Sequence, residues 1–251
     1  MILLRFTRLL LCALLVSFAV GAAARLRAVA SPLDRGTRIL VVTAHPDDEI
    51  LFAPLLARRC VLSNAQCSFL VMTRGEGGTC NPEVRCDSDL GVTRSGEMAR
   101  AAALFGARLT QWSFPDVFGD VTATWSERAG GRDALLRQLG DAIRFEDPDV
   151  LLTFDAEHGS SGHDAHKAIG ALVAELDLPN TLVLETLITT TDSGFTLENA
   201  RPLVASTFYV REDWEWIVRD AEVHASQFTR QQIQQLHNVP MEQRCIWWME
   251  Q

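Results

Sequence analysis

The sequence has no surplus of basic residues: 23 Lys and Arg stand against 32 Asp and Glu, a formal net charge of −9 over 251 residues. Nonspecific nucleic-acid binding is driven by basic surface displacing counterions, so this balance argues against a nucleic-acid partner. The polybasic cluster of an anionic-membrane binder is also missing. Beyond residue 24 there is no apolar run of the roughly 20 residues that a bilayer span needs. No Cys-x2-Cys pair offers a cysteine zinc site. There is no internal repeat, low-complexity linker or shift in composition after the first residues. What is present is an ordinary globular balance, 47% hydrophobic and 22% charged, which excludes a disordered or collagen-like chain. The length allows one large domain or two small ones, and a single domain over 38–251 is the simplest organisation.

The first residues follow a pattern of their own. Arg5 and Arg8 precede an almost wholly apolar run from Leu9 to Val20, and Ala22, Ala23 and Ala24 are small enough for cleavage. That three-part order predicts a secretory signal peptide over 1–24. The expected location is secreted or periplasmic; the alternative is an uncleaved membrane anchor, for which the run is short. Cys12 leaves with the signal. Cys60 and Cys67 flank one short connection, and Cys80 and Cys86 another, so each pair suits a small disulfide-closed loop in an oxidising compartment. Cys245 is left over, and sequence alone leaves the pairing open.

Short apolar runs alternate with helical patterns along the rest. Residues 38–44, 68–73, 109–114, 149–154 and 181–187 read as buried strands. Helical patterns fall over 47–59, 93–105, 132–145 and 162–176, the second stopped by Gly106 and the third by Asp147-Pro148. A glycine-bearing loop, Arg-Gly-Glu-Gly-Gly, follows the second strand. This alternation predicts an α/β fold with right-handed crossovers and a mainly parallel sheet covered on both faces. The last third is less regular. Pro202 to Val210 suggests a strand, Arg211 to Gln235 a long helical segment, and the tail with Trp247 and Trp248 has no assignment.

The chemistry gathers at two strand ends, where an open α/β sheet collects its ligands. The first strand runs into Ala44-His45-Pro46-Asp47-Asp48-Glu49. The fourth runs into Asp155, and Gly162-His163-Asp164-Ala165-His166 follows after six intervening residues. Two histidines and one carboxylate, with a fourth position open to water, form a catalytic zinc set. Each motif alone also fits a plainer role: proline and acids suit a helix start, and histidines at i and i+3 share a helix face by geometry. Their coincidence at two ligand-collecting strand ends favours chemistry.

Those residues carry a resemblance. Ala-His-Pro-Asp-Asp-Glu after an apolar strand is similar to the signature of the PIG-L/LmbE-like zinc-dependent N-acetylglucosaminyl de-N-acetylases. Met72-Thr-Arg-Gly-Glu-Gly-Gly, Arg94 with Glu97, Phe114-Pro-Asp116, and Thr153-Phe-Asp155 followed by Gly162-His163-x-x-His166 resemble further family motifs in the same order. The likeness covers roughly Arg38 to Leu176. It implies a Rossmann-like three-layer sandwich and an enzyme that removes an N-acetyl group from an N-acetylglucosaminyl or related amide. It further implies that His45, Asp48 and His166 bind Zn2+, another divalent metal being the alternative. Asp47 would be the general base on the zinc-bound water, His163 would polarise the carbonyl or stabilise the oxyanion, and Arg94 and Asp116 would hold sugar hydroxyls. One departure is plain: the family's His-x-Asp-His is here His163-Asp164-Ala165-His166, so the histidine spacing is kept and Asp164 has no inherited role.

The expected partner is an N-acetylated sugar or glycoconjugate, with a membrane involved only if the signal is uncleaved or the substrate is lipid-linked. Alternatives are an amidase acting on a non-sugar or thiol-conjugate amide, and a non-catalytic secreted metal- or sugar-binding protein. A free carboxylate at Asp47 argues against a pure binder. Substrate choice is expected in the loops 80–91 and 118–130 and in the C-terminal third. Arg74 and Glu76 could line the cleft or form a loop pair. His158 reads as a loop residue, His224 and His237 as surface residues, and Trp112, Trp214 and Trp216 as packing residues.

Overall fold

The computed structural model describes residues 38–186, 189–191, 194–196, 205–208, 211–240 and 245–250. The expected signal peptide lies outside them. The strands are β1 (Arg38–Thr43), β2 (Gln66–Thr73), β3 (Arg108–Phe114), β4 (Val150–Phe154), β5 (Leu182–Thr186), β6 (Thr189–Thr191), β7 (Gly194–Thr196), β8 (Ala205–Phe208) and β9 (Cys245–Glu250). The α-helices are α1 (Ala53–Leu56), α2 (Leu90–Leu104), α3 (Val121–Ala129), α4 (Arg132–Glu146), α5 (Gly159–Gly162), α6 (Asp164–Ala174), α7 (Arg211–Val223) and α8 (Arg230–His237).

Strands β1 to β5 are parallel neighbours in the order β3-β2-β1-β4-β5, and β9 and β8 extend that sheet in antiparallel pairing. The expected α/β three-layer fold with a mainly parallel sheet is observed. β1, β2 and β4 are buried along nearly their whole length, which is why they read as unbroken apolar runs rather than alternating ones. β3, at the edge, is exposed or half-exposed along its length until the buried Phe114. Helices α1, α2 and α7 pack together, and α3, α4 and α6 form a second group. Right-handed crossovers from β1 outward to β3, then back to β4 and β5, put those groups on opposite faces.

The differences from expectation have local causes. The helical pattern after β1 is a 3-10 turn (Asp48–Phe52), the single turn α1 and a π-helical turn (Ala57–Leu62). α3 was hidden in a β-branched stretch, but Asp120 caps it through Ala123 N–H and the left-handed Gly130 ends it. The long C-terminal helical segment breaks into α7 and α8, because Thr229 starts a new helix with a capping box to Gln232. β9 supplies the assignment missing for Trp247 and Trp248. Disulfides join Cys60 to Cys67 and Cys80 to Cys86, as the spacing suggested. No described helix is long and apolar enough to cross a membrane.

Candidate active site

The strand order turns around between β1 and β4, and a doubly wound sheet opens a crevice at the carboxyl edge of such a switch point. Both sequence motifs arrive there. After β1 the chain passes through Ala44, whose carbonyl accepts from Thr73 N–H and Thr73 Oγ1, each at 2.9 Å, and so fixes the exit from the sheet. Asp47 then adopts φ 97° and ψ −13°, a left-handed conformation uncommon outside glycine. Its side chain makes no helix cap. The plain helix-start explanation of this motif therefore fails for Asp47.

Asp48 turns back under the strand end. Its Oδ2 accepts from Ala44 N–H (3.0 Å) and His45 N–H (2.8 Å), which leaves Oδ1 3.0 Å from His166 Nε2. His166, stacked on Phe154, has its Nδ1 2.9 Å from the Gly159 carbonyl, which can only accept, so Nδ1 carries the ring proton. His166 Nε2 and Asp48 Oδ1 thus face each other across one shared cation, a proton or a metal ion. One ring nitrogen from each of His45, His163 and His166 lies within 4.8 Å of the others, and His45 Nδ1 is 3.5 Å from Asp48 Oδ2. Imidazoles with a carboxylate fit a divalent metal of the zinc kind. His45, Asp48 and His166 could thus hold the expected ion. His45 Nε2 faces Asp116 Oδ1 at 3.1 Å, the arrangement that orients a histidine ligand through its second nitrogen.

Burial alone would lower the His45 pKa, but Asp48 and Asp116 outweigh it and raise it to about 10. Burial works to raise Asp48, yet His166 and His45 hold it well below the usual carboxylate range. Asp116 is likewise lowered, His45 outweighing burial. Burial raises Asp47 to about 6 in spite of the Arg94 charge beside it. His163 is lowered, first by burial and then by the charges of His45 and His166.

The seven expected site residues converge, but Arg94 and Asp116, both expected on sugar hydroxyls, spend their polar groups inside the protein. Arg94 is buried and does not reach out to a sugar. Its Nη2 donates to Asp47 Oδ1 (2.9 Å) and to the Pro46 carbonyl (2.6 Å), and its Nη1 to the Gly75 carbonyl (2.9 Å). It grips the expected base, because a buried guanidinium needs a carboxylate and carbonyls around it. Gly75 (φ 68°) is required here: any Cβ would lie 2.4 Å from the guanidinium. Asp116 reaches the site, accepting from Gly77 N–H at 3.1 Å and facing His45. His163 caps α6 by accepting Ala165 N–H on Nδ1 (3.3 Å), so its neutral ring carries the proton on Nε2. The helix-start explanation of the second motif therefore holds for His163, alongside its position in the site. Asp164 accepts Gly119 N–H (3.0 Å) and ties the Phe118 loop to α6. Phe118 is 75% exposed, its ring 5.7 Å from that of His163.

The weaker candidates mostly find structural partners. Glu76 accepts Asp116 N–H, Arg74 pairs with Asp89, and His158 pairs with the buried Asp155. Trp214 is buried and donates to the Leu236 carbonyl, while Trp216 packs on Phe105. Trp112, packed on Phe114, is half-exposed. His237 is half-exposed beside Glu215. His224 is a correction: it is fully buried, 2.5 Å from Glu49 Oε1. Glu49 and Asp220 raise its pKa to about 9 against a burial effect of opposite sign. The signal was available, since Asp220 and His224 lie at i and i+4 on a helix face with Ile217 and Ala221.

Comparison with known proteins supports this geometry. Residues 40–176 match the PIG-L family, described as GlcNAc-PI de-N-acetylase. A 1D-myo-inositol 2-acetamido-2-deoxy-alpha-D-glucopyranoside deacetylase from Thermomonospora curvata is 31% identical over 151 residues, 53% of this chain and 50% of that protein. An N-acetylglucosaminyl-phosphatidylinositol de-N-acetylase from Arthroderma benhamiae is 32% identical over 172 residues, 55% of this chain and 51% of that protein. The chain thus spans about half the length of the curated relatives it matches. The N,N'-diacetylchitobiose deacetylase from Pyrococcus horikoshii shares the fold, with TM-score 0.66, 17% identity, and 90% of this chain and 87% of that one covered. So does GalB, a 4-carboxy-2-hydroxymuconate hydratase from Pseudomonas putida, with TM-score 0.57, 14% identity, and coverage of 85% and 95%.

Proposed function

The chain belongs to the PIG-L family, and from that premise we propose that it hydrolyses the acetamide of an N-acetylglucosaminyl substrate to acetate and the free amine. The observation that carries this reading is the carboxylate of Asp47, held by Arg94 beside Asp48, which lies between His45 and His166 at the switch point. His45, Asp48 and His166 suit a divalent metal, which when bound would supply Lewis-acid polarisation and a water of pKa about 7. Asp47 takes the proton of the attacking water and returns it to the departing nitrogen. Arg94 keeps that carboxylate ionised and aimed. His163, neutral with a proton on Nε2, donates to the carbonyl oxygen as negative charge develops there. A hydratase on the same fold shows that fold alone does not set the reaction.

The test is acetate release by metal-stripped and zinc-reloaded protein. The substrates are GlcNAc-inositol, GlcNAc-phosphatidylinositol and N,N'-diacetylchitobiose. Release from at least one, dependent on reloading, is expected. No release from any of them would return the reading to a different amide or a non-catalytic binder. The leader-like segment and the two disulfides support an extracytoplasmic place of work.

Two further results are expected. Asp47 must be ionised to accept a proton, so activity falls as pH drops through its pKa, about 6 or lower once a cation is bound nearby. Arg94 lowers that pKa, so Arg94→Met moves the acid limb of the kcat profile to higher pH, while Arg94→Lys restores part of the shift. An unmoved limb in Arg94→Met would remove Arg94 from this role. At the rim, the exposed Phe118 ring suits the apolar face of a pyranose. Phe118→Ala is expected to raise KM about fivefold, roughly 1 kcal/mol, with kcat little changed. A KM equal to wild type would exclude the ring from substrate contact.

A further inference from the structure

Beneath Asp47 lies a group of ionisable side chains that the proposed reaction does not use. Glu49, Asp220 and His224 are each at most 1% exposed. Glu49 comes from the 3-10 turn after β1. Asp220 lies in α7 and His224 just beyond it, in a part of the chain that residues 40–176 of the family match do not reach. Glu49 uses its two oxygens in different directions. Oε1 is 2.5 Å from His224 Nε2, and Oε2 accepts the backbone N–H of Asp47 at 3.1 Å.

That N–H belongs to the residue with the left-handed φ of 97°. Such a conformation is sparsely populated for a residue with a Cβ and persists only where its surroundings hold it. Asp47 is held from two sides: Arg94 fixes its carboxylate and Glu49 fixes its backbone. Glu49 is itself aimed by His224, and His224 sits on a clamped turn. Ser226, two residues on, gives its N–H (2.9 Å) and its hydroxyl (2.5 Å) to the buried Glu97. Asn81, beside the Cys80–Cys86 disulfide, takes hold of the same turn by donating to the carbonyls of Ala225, Ser226 and Phe228.

The same trio has the donor types of a metal site, with one atom from each residue within 4.8 Å of the others. The closest approach decides against that use. Two atoms bound to one zinc at about 2.0–2.1 Å in tetrahedral array sit roughly 3.3 Å apart. At 2.5 Å, Glu49 and His224 are joined by a proton instead.

We infer that Glu49 and His224 are positioning residues for the de-N-acetylase reaction, holding the backbone of Asp47 in the left-handed conformation that presents its carboxylate to the site. This rests on the activity proposed above. Misplacing a reacting group by about 1 Å costs on the order of 100-fold in rate. Glu49→Ala and His224→Ala are therefore expected to lower kcat about 10- to 100-fold, with KM and bound metal per chain within twofold of wild type. Glu49→Gln keeps an oxygen for the Asp47 N–H and is expected to recover most of kcat. His224→Gln stands in if His224→Ala does not fold. Amide hydrogen exchange at Asp47 gives a readout independent of activity. It should be slow in the wild type and in Glu49→Gln, and fast in Glu49→Ala and His224→Ala. If the wild type releases no acetate from any substrate, the proposed function fails by itself and the exchange rates still test the positioning. Wild-type kcat and unchanged exchange in the alanine variants would overturn the inference. So would loss of one metal equivalent in them, which would mark the trio as an ion site.

Discussion

Asp47→Asn is expected to reduce kcat by about 100- to 10,000-fold, the range that a positioned general base supplies, while bound metal per chain stays at the wild-type level. The two outcomes separate because Asp47 and Asp48 are held by different partners. Asp48 is fixed by the amides of Ala44 and His45 and by His166, none of which touches the Asp47 carboxylate. Asparagine also suits this backbone, since it tolerates a left-handed φ better than most side chains. Its amide oxygen can still accept from Arg94. What it loses is the ability to take a proton. Steady-state acetate release, with metal analysis of the same preparation, checks both halves. Activity within a fewfold of wild type would mean that another group takes the proton. Lost metal would mean that Asp47 belongs to the ligand set.

How much of this was legible in the sequence depended on range. β1, β2 and β4 read correctly because strands buried on both faces leave unbroken apolar runs, and those strands carry the site. The two histidine motifs were placed by the rule that ligands gather at the carboxyl ends of parallel strands. Side-chain direction was not legible. Arg94 shares a helix with Glu97, and nothing in that spacing says that its guanidinium turns inward onto Pro46, Asp47 and Gly75. His224 was misread because its partner is 175 residues away in sequence. A helix face with Ile217 and Ala221 on it could have suggested burial, but only the tertiary fold supplies Glu49. β8 falls within the strand that residues 202–210 suggest, whereas β9 was illegible for a similar reason: its antiparallel pairing with β5 and β8, distant in sequence, leaves no mark on the segment alone.

The ligand set itself is where geometry and family likeness need separating, because all three histidines lie within reach of one ion. His166→Ala is expected to lose the metal, with affinity falling more than about 100-fold, above the range for residues that only support a ligand. His163→Ala is expected to keep it and to lose turnover by about 100- to 1,000-fold, the cost of one oxyanion donor. The distinction follows from what each ring already does. Nδ1 of His166 is turned to the Gly159 carbonyl, so its Nε2 is the free donor atom, and that atom faces Asp48. Nδ1 of His163 is engaged by Ala165 N–H, which leaves it a hydrogen to give on Nε2 rather than a lone pair. Its lowered pKa keeps the ring neutral, as a hydrogen-bond donor to a developing oxyanion can be at neutral pH. Removing His163 also removes a helix cap, so a loss of about 1 kcal/mol in stability should accompany the change without unfolding the chain. Equilibrium dialysis with zinc, beside kcat on the same variants, reads both columns of this comparison. The reverse pattern, metal lost with His163 and kept without His166, would replace Asp48 and His166 with a ligand set built around His163. Asp48 would then be the residue that aims His166, and the carboxylate–imidazole contact at 3.0 Å would need a proton rather than a metal between its two acceptors.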